Sequence, residues 1–238
     1  MKFIVKSIAS EKNLTKPSAF AFFFDLLIYI SIMFLIREIY FSQFNFISNG
    51  LFWSFSTLIT AAILMRLRHI SWKEIGLFKI KNYKESLFAT VFIFAFTIIS
   101  ILIFQILKDQ LGLQVAPDMS DESAVSKFGD LAGNLGLFFA IIPFIWLQSA
   151  LEEILDRGFL INWIEKTLSS NWFATIIAVL TQAMIFGFRH SHGISERSIT
   201  VALIGLAMGI GYVAFGRNLW PLIFSHCLLN TISMAGRV

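Results

Sequence analysis

The sequence has little charge and a single cysteine. Charged residues make up 14% of the 238 residues, whereas hydrophobic residues make up 57% and the mean hydropathy is +0.75. This composition excludes an ordinary soluble domain. Because Cys227 has no second cysteine in the chain, an intrachain disulfide is excluded, and cysteine usage indicates no particular redox compartment.

Long polar stretches are also scarce. The longest, about residues 108–134, is too short and too acidic to bury a core of its own. The chain instead has apolar runs that approach or reach the roughly 20 residues needed to cross a bilayer as a helix. These runs are residues 19–36, 51–65, 87–107, 135–155, 172–188, 199–215 and 219–234. The sequence therefore predicts an all-α, polytopic transmembrane helical bundle with six to eight spans, since lipid-exposed barrels show alternating strands instead.

The charges between these runs are uneven. The segment before the first run carries Lys2, Lys6, Lys12 and Lys16, and the loop after the second run carries Arg66, Arg68, Lys73, Lys79, Lys81 and Lys84. The loop after the third run is acidic, with Asp109, Asp118, Asp121, Glu122 and Asp130. Because short basic loops stay in the cytoplasm, we predict a multi-pass integral membrane protein with a cytoplasmic N-terminus. Topology and anionic headgroups explain the basic loop, so we expect no nucleic-acid partner.

Polar residues are rare in the first three runs, where Asp25 is the only acid. We expect Asp25 near a helix start, where the helix dipole and the membrane interface tolerate an acid. In the sixth run, Gly205 and Gly209 have the GxxxG spacing that lets two helix backbones approach closely.

The stretch LEEILDRGFL, residues 151–160, places four ionisable side chains in an apolar run. At helical spacing Glu153 and Arg157 are expected to form an ion pair on one face. Glu152 lacks such a partner, because the residue four positions later is Asp156, and Glu152 is thus a candidate general base. The alternative is that the helix leaves the membrane near Leu151 and that these charges lie among lipid headgroups.

Two later runs contribute histidines. The fifth run ends in FGFRHSHG, where Phe186 and His190 share a helix face, and His192 also has a phenylalanine four residues before it. The last run contains HCLLN, which places His226 and Asn230 on one face. A single intramembrane histidine usually makes an interhelical hydrogen bond. Two histidines, an asparagine and a double glutamate together supply the groups that activate water and stabilise an oxyanion.

The motifs EExxxR, FxxxH and HxxxN, in this order, resemble the CPBP intramembrane proteases, also called the Abi or CAAX-protease family. The stretch GLAMGIGYVAFGRNLWPLIFSHCLLN is similar to the family's glycine-bearing helix, short turn and His/Asn helix. The resemblance covers about residues 135–233. It implies an intramembrane endopeptidase that hydrolyses a peptide bond of a membrane-associated or lipidated, CAAX-like substrate. It also implies a catalytic membrane core at 135–238, preceded by N-terminal helices and loops at 1–134, and the short N-terminal part favours a bacterial plasma membrane.

The resemblance also implies roles for individual residues. Glu152 would activate the hydrolytic water together with His190, and His226 and Asn230 would bind the developing oxyanion. FGFRH matches the family's FGxxH more closely at His190 than at His192. The supporting motif residues are Glu153, Arg157 and Phe186.

A metal is a separate question. Glu152, His190 and His226 could hold a divalent ion such as zinc, with water at the fourth position. HExxH and paired cysteines are absent from the sequence, and Asn230 is a poor zinc ligand. We therefore prefer a mechanism that requires no cofactor, although members of the family have been described both as metalloproteases and as glutamic proteases.

Two alternatives stay open at this point. The polar cluster could serve helix packing in a non-catalytic membrane scaffold or bacteriocin-immunity protein. In addition, at about 1.5 Å per helical residue, Glu152 and His190 lie about 25 to 30 Å from the turn at 169–171, whereas His226 lies only about 10 Å from the turn at 216–218. If the two turns are level, His226 is too far from Glu152, unless the fifth helix starts well outside the bilayer or the segment after His190 re-enters it.

Overall fold

The computed structural model describes residues 17–116, 128–191 and 193–238. Within these ranges the chain forms seven helices and no strand: α1 Ala19–Leu35 with the 3-10 turn Ile36–Glu38, α2 Phe46–Leu67, α3 Tyr83–Gln110, α4 Leu135–Thr167, α5 Trp172–Ser191, α6 Glu196–Ala214 and α7 Leu219–Ala235. The first six are long and apolar enough to cross a membrane, and α7 is a shorter apolar helix. The predicted all-α polytopic fold is confirmed.

A serine or asparagine begins each of these helices. The capping residues are Ser18, Asn45, Asn82, Asn134, Asn171, Ser195 and Asn218. Their side chains accept hydrogen bonds from backbone N–H groups that have no partner inside the helix. The cap at Asn45 makes α2 longer than the predicted run 51–65. The polar start of α2 is satisfied internally, since the Asn49 amide donates to the Phe41 and Phe44 carbonyl oxygens.

The helix α4 changes its winding where the charged stretch lies. It is α-helical over Leu135–Glu152, π-helical over Glu153–Ile161 and α-helical again over Asn162–Thr167. The helix therefore continues past the charged cluster and past the predicted run 135–155. π-Helical turns are rare and frequently occur at functional sites.

The loops gather at two ends of the bundle. At one end, the Leu219 N–H donates to the Gly76 carbonyl oxygen at 3.0 Å, and Arg217 forms an ion pair with Glu165 at 2.7 Å. We call this the basic end; it consists of the loop 68–82 and the turns 168–171 and 215–218. At the opposite end, the cavity end, Lys108 at the end of α3 forms an ion pair with Glu196 at the start of α6 at 2.8 Å.

The main hydrophobic core lies toward the basic end. Large side chains there have no exposed surface: Tyr29, Phe159, Trp163, Tyr212 and Leu219. The rings of Phe159 and Trp163 stack with centroids 4.0 Å apart, and the Tyr212 hydroxyl donates to the Ile75 carbonyl oxygen at 2.9 Å. This packing closes the bundle between the basic end and the charged stretch of α4.

Glycines bring α5 and α6 into close contact. A methyl group at Gly205 would lie 3.2 Å from the Ala183 Cα, and one at Gly209 would lie 3.0 Å from the Val179 side chain. The predicted close approach at the GxxxG spacing is therefore confirmed, with α5 as the partner helix.

Asp25 is stabilised differently from the prediction. It is the seventh residue of α1, and its side chain is buried. Its carboxylate accepts hydrogen bonds from Arg68 at 2.7 and 2.8 Å and from the Trp163 indole at 3.2 Å. Since the helix dipole acts mainly within the first turn, the counter-ion Arg68 rather than the dipole explains the buried acid.

Candidate active site

Three of the predicted catalytic side chains converge from three helices. The Glu152 carboxylate of α4 lies 3.8 Å from the Nε2 atom of His190 in α5 and 3.8 Å from the Nε2 atom of His226 in α7. Both gaps are too long for a direct hydrogen bond, but a single water could contact both partners at about 2.8 Å. The arrangement is a carboxylate between two imidazoles with room for a small molecule.

The sequence predicts that His226 and Glu152 lie at different depths if the two turns are level. In the structure the two turns are not level, and His226 lies at the depth of Glu152. The helix α7 begins level with Gly158 of α4, because a methyl group at Gly158 would lie 3.0 Å from the Leu219 side chain. His226 is seven residues beyond Leu219, and Glu152 is six residues before Gly158. The turn 168–171 lies further out, where α4 ends and α5 begins. The assumption that the two turns are level was wrong, and α5 starts well beyond the start of α7.

The imidazoles of the two histidines are held through their Nδ1 atoms. The Nδ1 atom of His190 donates to the Phe186 carbonyl oxygen at 2.7 Å, and that of His226 donates to the Glu153 carboxylate at 2.7 Å. Because both partners are acceptors, each ring carries a proton on Nδ1. Both Nε2 atoms lie on the side of Glu152, 3.8 Å from its carboxylate.

The predicted ion pair between Glu153 and Arg157 is confirmed at 3.1 Å. Neither side chain has exposed surface, and Glu152 is only 8% exposed. The charged stretch therefore does not lie among lipid headgroups, and that alternative is wrong. The ion pair holds the His226 ring in position, because Glu153 Oε1 contacts both Arg157 and the imidazole.

Arg189 is a site residue that the sequence analysis missed. Its guanidinium forms a two-point contact with Asp156 at 3.1 and 2.8 Å and lies 3.9 Å from the Glu152 carboxylate. The side chain is 3% exposed. The available signal was an arginine in an apolar run beside His190, together with the unpaired Asp156 of α4. Arg189 separates the two acids that the sequence places one helical turn apart.

The ring of Phe186 lies at the centre of these charges. The Arg157 and Arg189 guanidinium carbons are 4.4 and 5.1 Å from its centroid, and the His190 ring centroid is 4.6 Å away. Cations are attracted to the face of an aromatic ring, more strongly where water is excluded. Phe186 therefore packs against His190 and stabilises both arginines.

Asn230 lies on the same face of α7 as His226. Its amide N–H donates to the Ser149 hydroxyl at 2.8 Å, which leaves a second N–H on the same nitrogen. Gln148 also contacts Glu152 at 3.3 Å. The alternative histidine, His192, lies outside the described residues.

A cavity of about 680 Å³ contains this site. Glu152, His190, His226 and Asn230 all contribute to its wall. The rest of the lining is mostly apolar or basic and includes Phe46, Trp53, Ile145, Ile204, Arg37 and Arg237. This volume is within the usual range of small-molecule sites, about 300 to 1,000 Å³.

The donor atoms at this site can be compared with those of a zinc centre. Two imidazole nitrogens and a carboxylate are the donor types of a catalytic zinc site, in which ligand distances near 2.0 to 2.2 Å place neighbouring donors about 3.4 Å apart. The 3.8 Å separations here are wider. Within residues 17–116, 128–191 and 193–238, no group of three His, Cys, Asp or Glu side chains could hold an ion. The donor set does not fit a metal as it is arranged.

Residues 134–232 match a family model described as type II CAAX prenyl endopeptidase Rce1-like. The match confirms the resemblance to the CPBP/CAAX protease family, and it includes Glu152, His190, His226 and Asn230. No curated protein and no solved structure matches the chain.

Proposed function

Because residues 134–232 match the CAAX endopeptidase family, a family of membrane proteases, we propose that the chain is an intramembrane endopeptidase that uses water activated by Glu152. The observation that carries this proposal is the placement of Glu152 3.8 Å from two imidazole Nε2 atoms on other helices. A carboxylate shielded from bulk water, with fixed neighbours and a solvent-sized gap, suits general base catalysis.

In the first step Glu152 removes a proton from the water while the water oxygen attacks the peptide carbonyl carbon. His190 accepts a hydrogen bond from the same water through its unprotonated Nε2 atom. Its ring is held by the Phe186 carbonyl oxygen, so that the lone pair points toward Glu152. The tetrahedral intermediate then carries a negative oxygen.

That oxyanion receives hydrogen bonds from His226 and Asn230. Protonated His226 donates through Nε2, because its Nδ1–H is already bound to Glu153. Asn230 donates with the amide N–H that does not contact Ser149. Preorganised donors of this kind stabilise the charge that develops in the transition state. The protonated Glu152 then returns its proton to the leaving amine.

The substrate is a membrane-associated or lipidated, CAAX-like peptide or protein. The apolar part of the cavity wall supports this choice, since Phe46, Trp53, Ile145 and Ile204 lie beside the polar site. A peptide with an apolar side chain or a lipid group would bury it there, which stabilises the complex by about 0.8 kcal/mol per CH₂.

Catalysis requires no resident metal on this proposal. It predicts that a chelator leaves cleavage intact and that the purified protein holds no stoichiometric zinc by elemental analysis. Loss of activity with a chelator, and its return with zinc, would show that the side chains rearrange around an ion.

We also propose that the N-terminus is cytoplasmic and that the host membrane is a bacterial plasma membrane. The basic segment before α1 and the basic loop between α2 and α3 support the orientation.

The deciding experiment compares Glu152→Gln with the wild-type protein in lipid vesicles. Glutamine keeps the shape and most hydrogen bonds but cannot accept the proton. We expect the wild-type protein to cleave a lipidated CAAX-like peptide with a quenched fluorophore, and the Glu152→Gln variant to leave it intact at an unchanged melting temperature. The matched control is Glu74→Gln, which removes a carboxylate from an exposed loop.

The same variant tests the non-catalytic alternative. If a scaffold or immunity protein keeps the cluster for packing alone, a folded Glu152→Gln protein retains its function in cells. That result would reject the peptidase mechanism.

A further inference from the structure

The cavity extends from Glu152 toward the cavity end of the described bundle. Its lining includes Glu152, Phe186 and His226, and also Arg37 and Arg237, which lie at the cavity end. Arg37 follows the end of α1, and Arg237 follows the end of α7. The helix α5 ends one residue after His190, so α5 contributes little to the cavity wall beyond His190.

The opposite direction is closed. Between the catalytic group and the basic end lie side chains without exposed surface, among them Phe159, Leu160, Trp163 and Leu219. Asp156 and Arg157 directly below Glu152 also have no exposed surface. A peptide therefore reaches Glu152 from the cavity end and not from the basic end.

The two ends carry different charges. The basic end and the helix turns next to it have the cations Arg66, Arg68, Lys73, Lys79, Lys81, Lys84, Lys166 and Arg217, against the acids Glu74, Glu85 and Glu165. Among the described residues at the cavity end, the cations Arg37, Lys108, Arg197 and Arg237 are balanced by the acids Glu38, Asp109, Asp130 and Glu196. The excess of lysine and arginine places the basic end in the cytoplasm.

We infer that the catalytic cavity opens to the non-cytoplasmic face of the membrane, so that the substrate is an exported peptide or the non-cytoplasmic segment of a membrane-anchored protein. The statement about the substrate rests on the proposed function, whereas the direction in which the cavity opens does not depend on it. A lipidated protein that remains on the cytoplasmic leaflet cannot present its C-terminus to Glu152, because the packed core separates the two. The apolar wall then receives the part of the substrate that lies in the outer leaflet.

Cysteine accessibility tests the direction without any assay of cleavage. In a Cys227→Ala background, which removes the only native thiol, single cysteines replace Ser42, Ser233 and Lys79. Ser42 lies in the exposed loop between α1 and α2 at the cavity end, Ser233 lines the cavity, and Lys79 is exposed at the basic end. Intact spheroplasts are treated with a membrane-impermeant maleimide, before and after permeabilisation.

We expect Ser42→Cys and Ser233→Cys to be labelled in intact spheroplasts, and Lys79→Cys only after permeabilisation. Labelling of Lys79→Cys in intact spheroplasts, alone or together with the others, would overturn the inference. So would labelling of Ser42→Cys without Ser233→Cys, since the cavity would then be closed to that face. If the labelling is as expected and Glu152→Gln still cleaves, the proposed mechanism fails while the orientation stands.

Discussion

Two groups of polar side chains lie next to each other in the bundle, and they differ in the distances between their ionisable groups. The cavity group consists of Glu152, His190, His226 and Asn230; the ion-pair group consists of Glu153, Asp156, Arg157 and Arg189. In the cavity group, Glu152 is separated from both histidines by 3.8 Å. In the ion-pair group the opposite charges are 2.8 to 3.1 Å apart.

The difference indicates that neighbouring residues of one helix have different roles. Glu152 and Glu153 are adjacent in sequence, yet Glu153 is fully buried against a cation and an imidazole, whereas Glu152 faces the cavity. Reactive groups need free donor and acceptor positions, and they keep their geometry only when a second set of contacts holds them. The ion-pair group supplies that second set.

The largest effect on stability is expected when the ion-pair group loses one charge. Glu153→Gln leaves Arg157 buried without its counter-ion, and breaking a buried pair in this way costs about 3 to 5 kcal/mol. The measurement is the free energy of unfolding in detergent.

The control is the double variant Glu153→Gln, Arg157→Met, which removes both charges and keeps an apolar side chain of similar length. We expect it to be more stable than Glu153→Gln alone, because replacing both partners is less costly than isolating one. If the double variant is no more stable, the buried charge of Arg157 is not what destabilises the single variant.

In the cavity group, Asn230→Ala tests the oxyanion contact. Removal of one oxyanion donor lowers kcat by about 10² to 10³, or about 2.7 to 4 kcal/mol, with little change in stability. The matched variant is Ser149→Ala, which removes only the hydroxyl that positions Asn230, and we expect a smaller loss of kcat. Equal losses would show that Asn230 acts through Ser149 and not on the substrate.

The sequence predicts what depends on local spacing. The ion pair of Glu153 with Arg157 and the close approach of another helix at Gly205 follow from spacing within one helix, and the structure contains both. The spacing does not predict that the helix packed on Gly205 is α5. The contact of Asp156 with Arg189 joins residues on different helices. It could not be derived from spacing because it depends on how α4 and α5 are rotated against each other.

The heights of the helices are not visible in the sequence either. Contact of Gly158 with Leu219 sets the start of α7 relative to α4, and no motif marks that contact. The π-helical winding over Glu153–Ile161 is another tertiary feature. Both features change which residues lie at the same depth, so side chains that residue counting separates by a helix turn or more come together.

A smaller effect is expected where α5 packs on α6 just before His190. At Gly187 a methyl group would overlap the Ser198 carbonyl oxygen. Gly187→Ala therefore forces the two helices apart and costs about 1 to 3 kcal/mol, with reduced cleavage because His190 moves. Gly136→Ala is the matched control, since its methyl group would meet nothing closer than 3.6 Å. If Gly136→Ala destabilises the protein as much as Gly187→Ala does, the effect is not due to the helix contact.

The smallest effect on cleavage is expected for substitution of His192. Comparison with substitution of His190 tests which histidine belongs to the cavity group. His190 faces Glu152 and has its ring fixed by the Phe186 carbonyl oxygen, so His190→Gln should abolish cleavage without unfolding the protein. His192→Gln should leave kcat unchanged, because one imidazole already occupies the position opposite His226. The two substitutions are chemically identical and two residues apart, so any general effect of losing a histidine is the same in both. If His192→Gln is the inactive variant and His190→Gln is active, the catalytic role passes to His192, and the 3.8 Å contact of His190 with Glu152 serves only to position the carboxylate.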